Sequence, residues 1–344
     1  MNLKRIISIV LTVACASTLL VGCGSDNKVI ENKYVKLGQY KGFNYNIDQE
    51  KFDEMLADKT YEATEVSRAA KMGDEIEFSY VGYVDNKKEK DLTQKNISAE
   101  TKQDDNAVYK KMTDALIGKK KGDTAKVKLS AEEASSISNS GKKYSKDVNV
   151  DLKVKEISEV NHPKVTDDWV KNESNEDVET AKEFFGVIDD ELEQNAVADV
   201  WQKAVDNAKL KTWPPELYDR IEEEEIGDAK YNAAEWDMTL EEYYAMNGDT
   251  QESLEKEYMN QVKSILVMQL IVKEEGIKVT NKEIEDRYNE LFKEVKDGKE
   301  YKTLADVKKN YPRDEIEEAV SLEKAQAFVY ENSKVKKTYK VHNN

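Results

Sequence analysis

The feature that most constrains the fold is a change in the spacing of apolar residues near residue 160. Between residues 73 and 159 apolar side chains recur at every second position, as at Ile76 and Phe78, which is typical of strands with one buried and one wet face. After His162 the spacing becomes helical and stays so. We therefore predict an α+β protein in which a small antiparallel-sheet domain precedes an all-α domain.

Turn-forming residues divide the alternating segment into short strands. Asp85-Asn86, Gly118 and Gly122 lie between the alternating runs, and these residue types favour turns. A short helix fits residues 109–117. A domain of about 85 residues can bury its own core.

Helical spacing dominates the rest of the chain. A helix is predicted at residues 49–59, and apolar stripes predict others over 178–208, 254–272, 284–295 and 314–332. The stripe over 254–272, which includes Gln269, is predicted to be the most buried of the set.

Several residue pairs mark where helices begin and end. Pro214-Pro215 is predicted to end the first long stripe, with Pro215 in the first turn of the next helix. Thr280 and Glu283 have the spacing of a capping box. The lysine-rich segment 334–344 is predicted to be frayed.

Residues 1–22 have the pattern of an export signal. Their apolar run is shorter than the roughly 20 residues of a membrane-spanning helix, and Cys23 follows Leu-Val-Gly, the lipobox pattern of bacterial lipoproteins. We expect an acylated Cys23 that anchors the protein on the extracytoplasmic face of the cell membrane, since each buried methylene contributes about 0.8 kcal/mol. An ordinary signal peptide or a membrane-spanning anchor is the alternative.

Charge and residue types argue against several function classes. The formal net charge of −17 disfavours nucleic acid as a partner, because phosphates attract basic surfaces. Removal of Cys15 with the signal and acylation of Cys23 would leave no cysteine for a disulfide or a metal site. The run of four glutamates from Glu222 fits a solvated helix face better than a ligand cluster. The two histidines lack the pattern of a Ser-His-Asp hydrolase. No metal or cofactor is predicted.

Three strings of the sheet segment resemble a known fold. Residues 73–85 (GDEIEFSYVGYVD) are similar to the opening strand of the FKBP-type prolyl isomerases, and residues 115–123 (ALIGKKKGD) to the helix end and turn of that fold. Residues 150–157 (VDLKVKEI) are similar to its last strand. The resemblance implies an FKBP-like domain over residues 72–159.

Further motifs lie on both sides of that domain. Residues 40–43 (YKGF) and 66–74 (VSRAAKMGD) are similar to the approach to the isomerase domain in trigger factor. Residues 212–218 (TWPPELY) and 279–284 (VTNKEI) are similar to its helical chaperone domain. These motifs occur in the same order as in trigger factor, over about residues 36–335.

The resemblance implies a domain plan for the chain. Its parts are a signal peptide at 1–22, a lipidated tether at 23–35, a connecting segment at 36–71, the FKBP-like domain at 72–159, a helical domain at 160–335 and a tail at 336–344. The ribosome-docking domain of trigger factor has no counterpart before residue 36. Ribosome binding is therefore not expected, and the lipid anchor takes the place of that domain.

The isomerase pocket of the FKBP family is only partly matched. Tyr80, Asp91 and Val108 match its first-strand tyrosine, the aspartate beside it and the valine before its short helix. Elsewhere the family's residues are replaced by Lys90, Tyr109, Lys110, Lys111, Met112 and Val150. The flap around residues 130–140 lacks the expected tyrosine.

The replaced residues lower the expectation of isomerase activity. A pocket without aromatic walls, rimmed by three lysines, would exclude water from a prolyl amide poorly. No catalytic residue is therefore assigned. The alternative interpretation is that Tyr80, Met112 and Val150 fill the core of the domain.

The helical domain is where the resemblance implies a cradle for unfolded chains. Apolar residues that stand beside turn residues are the best client-binding candidates; they are Trp236, Met238, Tyr243, Tyr244 and Met246. Packing between helices is the alternative for these side chains.

We therefore expect a membrane-anchored, extracytoplasmic folding factor that holds unfolded, newly exported polypeptides. One alternative is an active FKBP-type prolyl isomerase. A second is the solute-binding lipoprotein of a transporter, which needs two α/β lobes that the long helical part disfavours.

Overall fold

The computed structural model describes residues 30–101, 107–138, 141–236, 238–247, 249–295 and 301–341. The predicted signal peptide and Cys23 lie outside this part. Contacts divide the chain into two units. The first comprises Met1–Asp53, Phe185–Asp228 and Glu255–Val341, and the second comprises Glu54–Phe184, Ala229–Leu254 and His342–Asn344.

Strands and helices are numbered here in chain order. They are β1 (Val35–Lys36), β2 (Asn44–Ile47), α1 (Gln49–Lys59), β3 (Glu62–Glu65), β4 (Asp74–Val84), β5 (Lys87–Glu100), α2 (Ala107–Leu116), β6 (Thr124–Leu129), α3 (Ala131–Ser136), β7 (Val148–Asn161), α4 (Asp167–Asn172), α5 (Ala181–Asn207), β8 (Lys209–Leu210), α6 (Pro215–Glu235), α7 (Leu240–Asn247), α8 (Gln251–Glu275), α9 (Asn281–Val295), α10 (Leu304–Asn310), α11 (Arg313–Glu331) and β9 (Lys334–Lys337).

A five-stranded antiparallel sheet forms the centre of the second unit. The strand order is β3-β7-β4-β5, and β6 also pairs with β7. Burial alternates strictly along β4, as the sequence predicts. Strand β5 is not predicted, because only Leu92 of its 14 residues is fully buried.

One side of this sheet packs against α2 and forms a hydrophobic core. Ile76 and Phe78 of β4 and Leu152 of β7 are at most 1% exposed within it. Asp85 and Asn86 join β4 to β5 with φ of 49° and 65°, the left-handed values that a two-residue hairpin turn requires. The α+β prediction is confirmed for this domain.

Long helices form most of the first unit. The stripe of Ile284, Tyr288, Leu291 and Val295 is buried along α9, as predicted. The capping box is also present: the Glu283 amide donates to Thr280 Oγ1 (3.3 Å), and the Thr280 amide donates to the Glu283 carboxylate (2.6 Å).

Two details of the helical prediction are wrong. Gln269 is exposed on α8, where Val267, Leu270 and Ile271 are buried instead, because the apolar face is wider than the stripe suggested. Helix α5 ends at Asn207, well before Pro214, because the chain then pairs with β1 as strand β8.

The two ends of the first unit are more ordered than the sequence predicts. The Leu37 amide donates to the Ile30 carbonyl (2.9 Å), so the predicted tether ends before Ile30. The predicted frayed tail is wrong, because β9 pairs in parallel with β2. The ring of Tyr339 stacks on Phe52 with centroids 5.0 Å apart.

Candidate functional site

The predicted pocket residues come together inside the sheet domain. Tyr80, Val108, Met112 and Val150 are all 5% exposed or less and belong to one hydrophobic cluster, against which Tyr109 packs. They reach it from β4, α2 and β7, whose buried faces meet there. These side chains therefore fill the core, as the alternative interpretation holds.

Tyr80 has a buried hydroxyl at the bottom of this cluster. By distance and angle the hydroxyl has no hydrogen-bond partner among the described residues, although the Tyr109 side chain lies close to it. Burial raises the pKa of this phenol, and the contact with Tyr109 and the negative charge of Asp91 raise it further. The group therefore stays protonated through the physiological range.

Asp91 connects the pocket to the flap that precedes β7. Its Oδ2 accepts a hydrogen bond from Ser138 Oγ (2.5 Å) and another from the Tyr144 hydroxyl (3.0 Å). We call Asp91, Ser138 and Tyr144 the flap latch. Burial raises the pKa of Tyr144, and its hydrogen bond to Asp91 adds to this.

Residues 130–140 contain no tyrosine, as predicted, but Tyr144 lies just beyond them and donates a hydrogen bond to Asp91. A flap prediction that extended to β7 would have included this residue. Sequence spacing gives no comparable signal for Ser138.

The lysines around the pocket are mostly held in ion pairs. Lys110 contacts Asp114 (2.5 Å), and Lys111 contacts Glu133 (2.8 Å), whereas Lys90 is exposed. The hydrogen bond from Lys111, with the Ser130 amide, holds the pKa of Glu133 below its ordinary value.

This arrangement suits desolvation and offers no nucleophile. Its walls are apolar, and its polar groups are phenols, one serine and one carboxylate. Because Tyr80 is only 1% exposed, a prolyl ring cannot contact it in this conformation.

A second candidate site lies at the end of α6, within the second unit. Trp236 is 66% exposed and Tyr231 is 50% exposed. The amides of Trp236 and Met238 both donate to the Ala233 carbonyl (3.2 and 2.9 Å), which closes the helix end beside these rings. Tyr231 was missed from the sequence because it stands within a regular helix.

The remaining predicted client-binding residues differ from Trp236. Met238, Tyr243 and Tyr244 are half-buried, and the two tyrosine rings lie 6.2 Å apart. The Tyr244 hydroxyl is buried without a partner in the described structure. The side chain of Met246 lies outside the described residues. We call Tyr231 and Trp236 the exposed aromatic pair.

Among the residues that the structure describes, no helix has both the length and the hydrophobicity of a membrane-spanning segment. No group of three or more His, Cys, Asp or Glu side chains there is placed to hold a metal ion.

Two protein-family models match the chain. One describes the bacterial trigger factor C-terminus and matches residues 179–331; the other describes the FKBP-type peptidyl-prolyl cis-trans isomerases and matches residues 66–155. The trigger factor of Streptococcus mutans is 27% identical over 333 residues, covering 90% of this chain and 75% of that protein. The chain belongs to the trigger factor family.

Other trigger factors show the same coverage. The protein of Streptococcus uberis is 26% identical and that of Streptococcus pyogenes serotype M1 is 25% identical, each over 90% of this chain and 75% of the relative. A solved structure of a trigger factor chaperone, described for promiscuous substrate recognition in folding and assembly, aligns with 86% of this chain and 72% of that one, at 18% identity and a TM-score of 0.32.

Membership in the trigger factor family establishes the coarse function. The chain is a protein-folding factor with an FKBP-like domain and a trigger factor C-terminal domain. Its antiparallel sheet and family membership argue against the solute-binding alternative.

Proposed function

We propose that this trigger factor relative is a lipid-anchored holding chaperone on the extracytoplasmic face of the cell membrane. It retains unfolded, newly exported polypeptides until they fold. The observation that carries the holding activity is the exposed aromatic pair. Apolar side chains as exposed as Trp236 (66%) and Tyr231 (50%) are suited to reversible contact with unfolded chains.

Suppression of aggregation by the purified protein tests the holding activity. We expect the chain to slow light scattering by a denatured client, and Trp236→Ala with Tyr231→Ala to remove most of that effect. Trp213→Ala is the matched control, because Trp213 is also exposed (40%) but belongs to the first unit. Equal losses in both variants would contradict a site at the exposed aromatic pair.

Anchoring is proposed on the lipobox at Cys23. Cells that express the chain should incorporate a labelled fatty acid into it, and Cys23→Ala should abolish the label and release the protein from the membrane fraction. The Cys23→Ala protein should keep its holding activity in vitro yet fail to support the cell. Normal function of that variant in cells would contradict the role of the anchor.

A second activity, prolyl isomerisation, is favoured by the match to the FKBP-type family and by the flap latch. A protease-coupled assay on a proline tetrapeptide tests it. We expect a low rate, because the pocket is closed by its own side chains. A rate above background that Tyr80→Ala removes, in a variant that circular dichroism shows to be folded, would establish the activity, and a rate that this folded variant leaves unchanged would place it elsewhere.

A further inference from the structure

The solvent-facing side of the sheet carries lysines that neither candidate site uses. Side chains alternate along β4, β6 and β7, with the apolar ones buried on the α2 side. The opposite side therefore carries the residues between them. Lys126, Lys128 and Lys153 lie on this side, Lys88 lies opposite Tyr83 on it, and Lys95 lies at the register shift of β5. We call these five residues the lysine face. A sixth lysine, Lys155, pairs with Glu77 (3.5 Å) at the acidic end of the same side.

The strand register brings these lysines into neighbouring rows. In one row Lys128 pairs with Asn149, Asn149 with Tyr83, and Tyr83 with Lys88. In another row Lys153 pairs with Ser79 and with Thr124. Strands lie about 4.8 Å apart, so the four strands β6, β7, β4 and β5 present a surface about 14 Å wide.

Most of this charge is free to meet an external partner. Lys126 is 82% exposed and Lys128 is 66% exposed, although each has a carboxylate nearby, Asp151 (3.3 Å) and Asp147 (2.8 Å). Lys88, Lys95 and Lys153 are exposed and have no ion pair within the described part of the chain. The other end of the same side is acidic, with Glu75 and Glu77.

The lysine face belongs to a domain without net charge in an acidic protein. The stretch 62–161, from which the sheet is built, contains 19 lysines and arginines and 19 aspartates and glutamates, whereas the rest of the chain contains 34 against 51. A negatively charged surface would therefore repel the helical parts but not the sheet domain, and the lysine face is the side of that domain that it would attract.

We propose that the lysine face docks on the anionic phospholipid headgroups of the membrane, which orients the sheet domain on the bilayer. The half-buried Tyr83 and Val81 at its centre suit this surface, because tyrosine rings favour the headgroup region. Each lysine near an anionic membrane strengthens binding about fivefold. The proposal rests on the proposed lipid anchor, which supplies the local concentration that a few lysines alone do not.

Amine labelling of the lipidated full chain on vesicles tests the proposal. One set of vesicles contains only phosphatidylcholine, and the other contains 30% phosphatidylglycerol, roughly the anionic content at which such charges act. We expect labelling of Lys88, Lys95 and Lys153 to fall at least threefold on the anionic vesicles only, and to recover in high salt. Labelling of Lys256 and Lys278, on α8 and just after it, should not change.

Charge-reversal variants distinguish binding by the lysine face from a general effect of the protein's net charge. The triple variant Lys88→Glu, Lys126→Glu, Lys153→Glu should lose the protection of Lys95. A matched control, Lys164→Glu, Lys256→Glu, Lys278→Glu, changes the net charge equally at exposed lysines outside the sheet and should keep the protection. Loss of protection in both variants would overturn the assignment to the lysine face.

The outcomes distinguish docking from anchoring. Sedimentation with neutral vesicles but unchanged labelling on anionic ones would overturn docking and leave the anchor intact. Protection on anionic vesicles without sedimentation on neutral ones would refute the anchor, and with it the statement that docking needs an anchor, while the assignment of the docking surface to the lysine face would stand. Absence of binding to both kinds of vesicle would overturn both proposals.

Discussion

Replacing Tyr80 with phenylalanine should stabilise the sheet domain. The Tyr80 hydroxyl is buried without a hydrogen-bond partner in the described structure, and the side chain is only 1% exposed. A buried polar group left unsatisfied costs about 1–3 kcal/mol, so its removal should return about 1 kcal/mol of unfolding free energy if the ring keeps its place. Tyr80→Ala should instead lose about 3–5 kcal/mol, because it empties the centre of the cluster.

Hydrogen exchange measured by mass spectrometry detects this change in stability within the sheet domain. The slowest amides of β4 and β7 should exchange about fivefold more slowly in Tyr80→Phe, since 1 kcal/mol corresponds to that factor. Tyr83→Phe is the matched control on the same strand. Its ring is half-buried on the solvent-facing side, and we expect no change in exchange.

The pH dependence gives a second readout for Tyr80. Because the folded-state pKa is raised, the neutral phenol contributes fully below the unfolded pKa of about 10, and this contribution is lost as pH rises. The advantage of Tyr80→Phe over the native protein should therefore widen above pH 10. Faster exchange of β4 in Tyr80→Phe at pH 7 would refute the reasoning, because it would mean that the hydroxyl has a stabilising partner.

Three further changes test contacts elsewhere in the fold. Burial alone would raise the pKa of Asp74, but hydrogen bonds from Arg68 and the Lys71 amide hold it below its ordinary value; Asp74→Asn should therefore cost about 1.5–3 kcal/mol at pH 7. In urea unfolding this deficit should shrink as pH falls below about 4, where the native carboxylate loses its advantage, and a pH-independent deficit would contradict that. A Cβ at Gly38 would overlap the carbonyl oxygen of Asn207, so Gly38→Ala should lower the free energy of unfolding by about 1–3 kcal/mol. An unchanged melting temperature would contradict this, because it would mean that the backbone shifts to make room for the methyl group. Thr280→Ala removes a capping box and should cost about 1 kcal/mol; equal exchange rates at the start of α9 in both proteins would contradict it.

The elements that the sequence predicts best are those with one strongly buried face. The stripe from Ile284 to Val295 and the alternation along β4 identify α9 and β4 directly, because periodicity reports burial. Strand β5 cannot be predicted from periodicity, because it lies at the sheet edge and only Leu92 of this strand is completely buried.

The candidate sites are harder to predict because they depend on contacts between distant residues. Resemblance to FKBP proteins identifies Tyr80 and Asp91, but not the flap latch, whose hydrogen bonds join residues 47 and 53 positions apart. The sequence also does not show which side chains are exposed. Trp236 and Tyr244 are both predicted client-binding residues, yet the ring of Trp236 is exposed whereas the hydroxyl of Tyr244 is buried.

The pairing of β2 with β9 has a consequence for the order in which the protein is completed during synthesis. The strands of the sheet come from one stretch, residues 62–161, and can assemble once that stretch has been made. Strand β2 is made before all of them, but its partner residues 334–337 are made more than 170 residues after the last sheet strand. The ring of Phe52 likewise has no Tyr339 to stack on until then. A folding factor of this design is itself incomplete long after its sheet domain has been made, because strand β2 has no partner until residues 334–337 emerge.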